Sequence, residues 1–121
     1  GWPSYCRSKL MNIMFTYECH SRYSDSGVTF NSLHPGFVNT RFGDNNSGFA
    51  KKSINVVKAL FAINVEKGAK TSVYLASSPE LENVSGKFFN KCKPAKSSSS
   101  SMVKKDQEKL WAETEALLTT L

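Results

Sequence analysis

The sequence is short of cysteine and of metal-ligating groups. Its three cysteines, Cys6, Cys19 and Cys92, are sparse and odd in number. That is a poor disulfide framework, and reduced thiols are the expectation. No C-x-x-C pair and no Cys/His spacing of a zinc site occurs, so no metal is expected. Long hydrophobic runs are missing as well, since none approaches the roughly 18 residues of a membrane span. The start shows no charged-then-apolar secretory pattern. Acidic residues are the minority, 10 against 16 basic, for a net charge of +6. The excess is scattered through Lys51, Lys52, Lys67 and Lys70, with one local cluster at Lys87, Lys91, Lys93 and Lys96. The dense, aromatic-interleaved basic stripe of a nucleic-acid domain is absent, so no nucleic-acid partner is expected and the charge reads as a solvated face.

What is present reads as one soluble, globular unit, with 121 residues and 40% hydrophobic content. Residues 4–23 have the spacing of a helix, with Leu10, Ile13, Met14 and Tyr17 on one apolar stripe. Asp25-Ser26-Gly27 breaks it, and Val28–Leu33 reads as a strand that Pro35 ends. Residues 37–50 read as loop. Residues 51–62 and 65–78 read as amphipathic helices. Residues 86–90 form a second strand, "KPAKSSSSS" a flexible linker by composition, and residues 106–118 a last helix with Trp111 on its apolar side. Alternating helices and strands point to an α/β layer with parallel strands. Two strands do not complete such a sheet. The chain also begins at Gly1 without an initiator methionine, so it reads as the C-terminal part of a larger domain.

Two groups carry chemistry. Tyr5 and Lys9 are one helical turn apart and share a face. Alone, Y-x-x-x-K is weak, since about 0.4 such pairs arise by chance here and a half-buried tyrosine beside a solvated lysine is the plainer reading. The chemistry that would use the pair is proton transfer at a substrate oxygen. At about 4 Å and an effective dielectric near 20, an ammonium favours a phenolate by roughly 4 kcal/mol. That is about three pKa units at most, enough to bring a phenol toward acid–base work. Downstream, "LHPGFVNT" places Pro35-Gly36 directly after a strand, where a glycine admits close backbone approach to a ligand. Ligands of open α/β sheets bind outside the carboxyl ends of the strands, where an N-terminal helix end also lies.

Together, "YCRSKLMN" and "HPGFVNT" resemble the short-chain dehydrogenase/reductase family, with its Y-x-x-x-K and P-G-x-V-x-T motifs. The resemblance continues through "KGAKTSVYLASSPE" and "GKFFNKCK" to "EKLWAETEALL", and looks most like the retinol dehydrogenase branch, near the WW-domain oxidoreductases. It implies an α/β fold that is the C-terminal part of a Rossmann-like, doubly wound parallel sheet, with the N-terminal cofactor half missing. Residues 1–92 would belong to that domain, 93–103 would be the Ser-rich linker and 104–121 the C-terminal helix. It implies NADP or NAD as cofactor, NADP slightly favoured, and an apolar alcohol or carbonyl such as retinol or retinal as substrate. By the family pattern Tyr5 is the general acid/base, and Lys9 tunes it and holds the nicotinamide ribose. Pro35, Gly36 and Val38 line the nicotinamide pocket, and Thr40 meets the amide or pyrophosphate. Phe37, Phe42 and Phe61 are candidate walls for the substrate.

The family's glycine-rich loop, its N-A-G strand end and its catalytic serine are not in this sequence, and Ser4 is too close to Tyr5 to serve. The isolated chain is therefore expected to be inactive. The alternative is a non-catalytic interaction protein without a nucleotide site. Members of the branch often carry an N-terminal membrane anchor, so the location expected is the cytoplasm or the cytosolic side of the endoplasmic reticulum. Three side chains receive plainer readings: His34 packed rather than catalytic, His20 exposed near a helix end, and Cys6 no nucleophile for want of a base.

Overall fold

The computed structural model describes residues 1–36 and 64–120. The expected helix at 51–62, and with it Phe61, lies outside the described residues, as do Phe37, Val38, Thr40 and Phe42. The first helix, α1, spans Trp2–Arg22. Pro3 sits in its first turn, where a missing N–H costs nothing. Its inward face is the stripe read from the sequence: Met14 is buried, and Leu10, Ile13 and Tyr17 are half-buried. Gly27, at φ +74°, turns the chain after it.

Strand β1 is Asn31–His34, three residues later than Val28, where the alternation first suggested it. At the entry, side chains add to one backbone bond, from the Gly86 N–H to the Phe30 carbonyl at 2.7 Å. Ser85 Oγ accepts from the Phe30 N–H at 3.0 Å. Asn31 donates to the Val84 carbonyl at 2.6 Å and accepts from the Lys87 N–H at 3.1 Å. The second helix, α2, covers Val65–Ser77 and is capped by Asn64, whose side chain accepts from the Lys67 N–H at 2.9 Å. Strand β2, Lys87–Asn90, then pairs parallel with β1 from Asn31↔Lys87 to His34↔Asn90.

The segment 93–103, expected from its composition to be a linker, has regular structure. Lys93–Ala95 is strand β3, antiparallel to β2 and in register Phe88↔Ala95. The turn between them is two residues, Lys91 and Cys92, both left-handed at φ +51° and +58°. This is the geometry that matches strand twist, although Asn-Gly usually supplies it. Pro94 is tolerated because β3 is, among the described residues, an edge strand in the order β1-β2-β3. A 3-10 turn at Ser99–Met102 follows, and Ser101 within it is fully buried. Its Oγ lies 2.6 Å from the Ser98 carbonyl and 2.7 Å from Ser97 Oγ, and Ser97 Oγ lies 2.7 Å from the Tyr17 hydroxyl. Ser97 and Ser101 of this expected linker are thus tied by hydrogen bonds to α1 and to their own turn.

Helix α3, Lys104–Thr119, closes the described chain. The described residues therefore form a mixed α/β unit with a three-stranded sheet containing one parallel pair. Met14 and Cys19 of α1, Leu81, Phe89 of β2 and Trp111 of α3 are its buried apolar side chains. Among the described residues no helix is long and apolar enough to cross a membrane.

Candidate active site

The first turns of α1 carry an aromatic and cationic cluster. The i, i+4 spacing sets Lys9 Nζ over the Tyr5 ring, 5.4 Å from its centroid, within the roughly 6 Å of a cation–π contact. Trp2 stacks on the other neighbour position, with ring centroids 5.5 Å apart and planes at 27°. Tyr5 is 38% exposed and Trp2 67%. Spacing suggested an ammonium near the phenol oxygen. The contact observed is with the ring face, because a lysine one turn on can lie along an aromatic ring. Cys6 is exposed and carries a free thiol.

The second group sits at the carboxyl end of β1. Pro35 is exposed and Gly36 adopts φ +85°, a region glycine enters without steric cost. The Gly36 N–H donates to His34 Nδ1 at 3.0 Å. His34 was expected to be packed. It is exposed and instead caps the Pro-Gly turn. His20, expected exposed, is half-buried, with Nδ1 3.0 Å from Ser85 Oγ. The structure thus brings Tyr5 and Lys9 together on α1 and His34, Pro35 and Gly36 together at the end of β1. Val38, Thr40, Phe37 and Phe42 lie outside the described residues. Among the described residues no group of three His, Cys, Asp or Glu side chains could hold a metal ion.

One charged cluster escaped the sequence reading. Glu18 of α1 is 2% exposed, yet it is fully paired. Its two carboxylate oxygens meet Arg22 Nε and Lys104 Nζ, each at 2.6 Å. Burial opposes the carboxylate charge, but the bonds and charges of Lys104 and Arg22 outweigh it and hold the carboxyl below its ordinary range. Beside it, burial and the Glu18 charge push the Cys19 thiol up. The i, i+4 spacing of Glu18 and Arg22 was visible in the sequence. Lys104, contributed from a distant helix, was not.

A phenol and an ammonium on one helix face can exchange a proton with a ligand oxygen while a fixed cation offsets the charge. A Cβ-free turn at a parallel strand's end can admit a flat ring against the backbone. A G-x-G-x-x-G loop for the pyrophosphate does not occur in the sequence.

No family model matches the chain. Among curated proteins it is 41% identical over 119 residues to human (Homo sapiens) retinol dehydrogenase 14, covering 97% of this chain and 35% of that protein. It is 35% identical over 119 residues to human retinol dehydrogenase 13, covering 95% and 36%. It is 36% identical over 116 residues to the human WW domain-containing oxidoreductase, covering 95% and 28%. The chain spans about a third of the length of these relatives. Over nearly all of its own length, then, the chain is a homologue of one part of the retinol dehydrogenases and WW domain-containing oxidoreductases, proteins of the short-chain dehydrogenase/reductase family.

Proposed function

We propose that this chain is the C-terminal part of an NAD(P)-dependent oxidoreductase that interconverts an alcohol and a carbonyl on an apolar substrate, and that it supplies the acid–base pair. The observation that carries the reading is Lys9 Nζ held over the Tyr5 ring at the exposed start of α1, within a segment homologous to retinol dehydrogenases. Tyr5 gives its hydroxyl proton to a carbonyl oxygen in reduction and takes one from an alcohol in oxidation. Lys9 offsets the charge that appears on the phenol and binds the ribose. The Pro35-Gly36 turn and Val38 flank the nicotinamide, Thr40 bonds its amide or the pyrophosphate, and Phe37 and Phe42 wall the substrate. When bound, the dinucleotide supplies the hydride. Residues 1–92 belong to the Rossmann-like domain in this reading, and the protein works in the cytoplasm or on the cytosolic face of the endoplasmic reticulum. Without a glycine-rich loop in its sequence, the chain alone does not turn over.

The test is a hybrid in which residues 1–121 replace the matching third of human retinol dehydrogenase 14, assayed by nicotinamide absorbance with retinol and NADP. The hybrid should turn over. Tyr5→Phe should lower kcat by about 10²–10⁴-fold, the usual worth of a positioned acid–base group, and Lys9→Met should lower kcat and raise the cofactor KM. A Tyr5→Phe hybrid as fast as its parent sinks the proposal. A second reading, a non-catalytic interaction module, draws on β1, which has a ladder partner on one edge only among the described residues. That reading gains if the folded hybrid binds dinucleotide and never turns over.

A further inference from the structure

In the functional reading the Pro35-Gly36 turn flanks the nicotinamide, so the direction of its backbone bears on binding. Strand β1 is in ladder with β2 as far as His34, which lies opposite Asn90. A residue before proline is held near extended backbone, and proline fixes its own φ at about −65°. One soft torsion, the ψ of Pro35, therefore stands between the strand and the Gly36 N–H. That N–H donates to His34 Nδ1 at 3.0 Å. The bond closes a small ring across the proline and fixes the torsion. The peptide is trans, so its carbonyl lies on the side opposite the N–H and is fixed with it. The His34 side chain is exposed, so packing does not account for a histidine there.

We propose that His34 is a positioning residue for dinucleotide binding, and that its Nδ1 holds the Pro35-Gly36 peptide plane in the orientation that meets the nicotinamide. This rests on the placement of that turn beside the cofactor under Proposed function. A turn that samples other orientations binds more weakly, by the fraction of time it spends in the competent one. One net hydrogen bond sets that fraction, which corresponds to about a two- to tenfold change in affinity. The imidazole matters here as an acceptor at one place, not as an acid or base. Asparagine carries its Oδ1 as many bonds from the backbone as Nδ1 is, and asparagine commonly makes the same bond to the N–H two residues on. An asparagine at position 34 therefore keeps the device without the ring, and an alanine removes it.

The experiment uses the same hybrid with His34→Ala and His34→Asn. Two quantities are read. One is the Kd for NADP by fluorescence titration. The other is solvent exchange of the Gly36 amide in protein labelled with carbonyl-13C proline and 15N glycine. Pro35-Gly36 is the one Pro-Gly step in residues 1–121, and loss of its signal in Pro35→Ala identifies it. In His34→Ala the Gly36 amide should exchange faster and the Kd should rise about two- to tenfold. His34→Asn should return both to the parent values. A purely structural role would lower the amount of folded protein and leave the Kd of the folded fraction unchanged, and that result overturns the proposal. So does an unmoved Gly36 amide in His34→Ala. A Kd that stays raised in His34→Asn overturns it too, because the ring itself would then be required. If the parent hybrid binds no NADP while the amide loosens in His34→Ala and recovers in His34→Asn, the cofactor reading falls and the hold of His34 on the turn stands.

Discussion

A Cβ built on Gly86 would sit 2.2 Å from Cδ2 of His20, on a backbone at φ +68°. Both the space and the conformation therefore require glycine at the entry to β2. Gly86→Ala should destabilise the chain by more than about 2 kcal/mol, because the left-handed region alone costs an L-residue about 1–2 kcal/mol. Urea unfolding measures this, and pairing with His20→Ala should recover the clash and leave the backbone cost. The opposite prediction holds at Lys91. It sits at φ +51° with an exposed side chain, so Lys91→Gly should stabilise by about 0.5–1 kcal/mol once glycine's unfolded-state entropy is deducted. A stability that falls in Lys91→Gly would mean the lysine makes a contact outweighing its strain. Cys92 is different, although its φ is similar. Its N–H donates to Thr71 Oγ1 at 3.2 Å, with Sγ 3.8 Å from the same hydroxyl. Replacement there changes the seat of the hairpin on α2 as well as the strain.

At the scale of elements, α1 was readable because its periodicity and its burial obey one rule. The stripe Leu10, Ile13, Met14 and Tyr17 is the face α1 turns inward, and α2 starts at a capping asparagine. Asn64→Ala should cost about 1 kcal/mol, the usual worth of an N-cap side chain, and native-state hydrogen exchange should show it as faster exchange at Lys67 and its neighbours. Protection unchanged there would place the helix start elsewhere. The sheet was half readable. β1 carries Leu33, with Val28 and Thr29 just ahead of it, and β2 carries Phe88 and Phe89. β3 is Lys-Pro-Ala, joined through Lys-Cys, and nothing in local propensity marks those residues as a strand and tight turn. They form one because β2 offers a ladder and Thr71 holds the turn. The Ser-rich stretch misleads for a related reason: it is held by Tyr17, distant in sequence, whose hydroxyl meets Ser97, and by Gln107 of the next helix, whose side-chain amide donates to the Ser101 carbonyl. The candidate site shows the same division. Tyr5 and Lys9 meet because helix spacing makes them meet, and Gly36 turns because proline and glycine turn. The capping role of His34 depended on a rotamer, and the Glu18–Lys104 bond on a tertiary approach.

Across the whole molecule, the joint of α1 with α3 depends on one ionised carboxylate, so its strength depends on pH with a defined sign. The folded state holds Glu18 below its ordinary value near 4.5. Folding is therefore favoured most when the carboxylate is charged in both states, above that ordinary value. The contribution fades as pH falls from the ordinary value through the lower folded one. Removing one partner of a fully buried ion pair costs about 3–5 kcal/mol, and the half-exposed cations here put the loss at or below the lower end of that range. Cys19 acts at the other limb. Its folded-state value is raised by burial first and by the Glu18 charge second, so its contribution is present below the ordinary thiol value of 9.0 and fades as pH rises through the folded one. Stability measured by urea unfolding from pH 3 to pH 10 should then fall at both ends. Glu18→Gln should lower the plateau and flatten the acid limb, while Cys19→Ala should flatten the alkaline limb and leave the acid limb in place. An acid limb that survives Glu18→Gln at full slope would show that other carboxylates set it, and the bond between α1 and α3 would then be a contact without a thermodynamic share in folding.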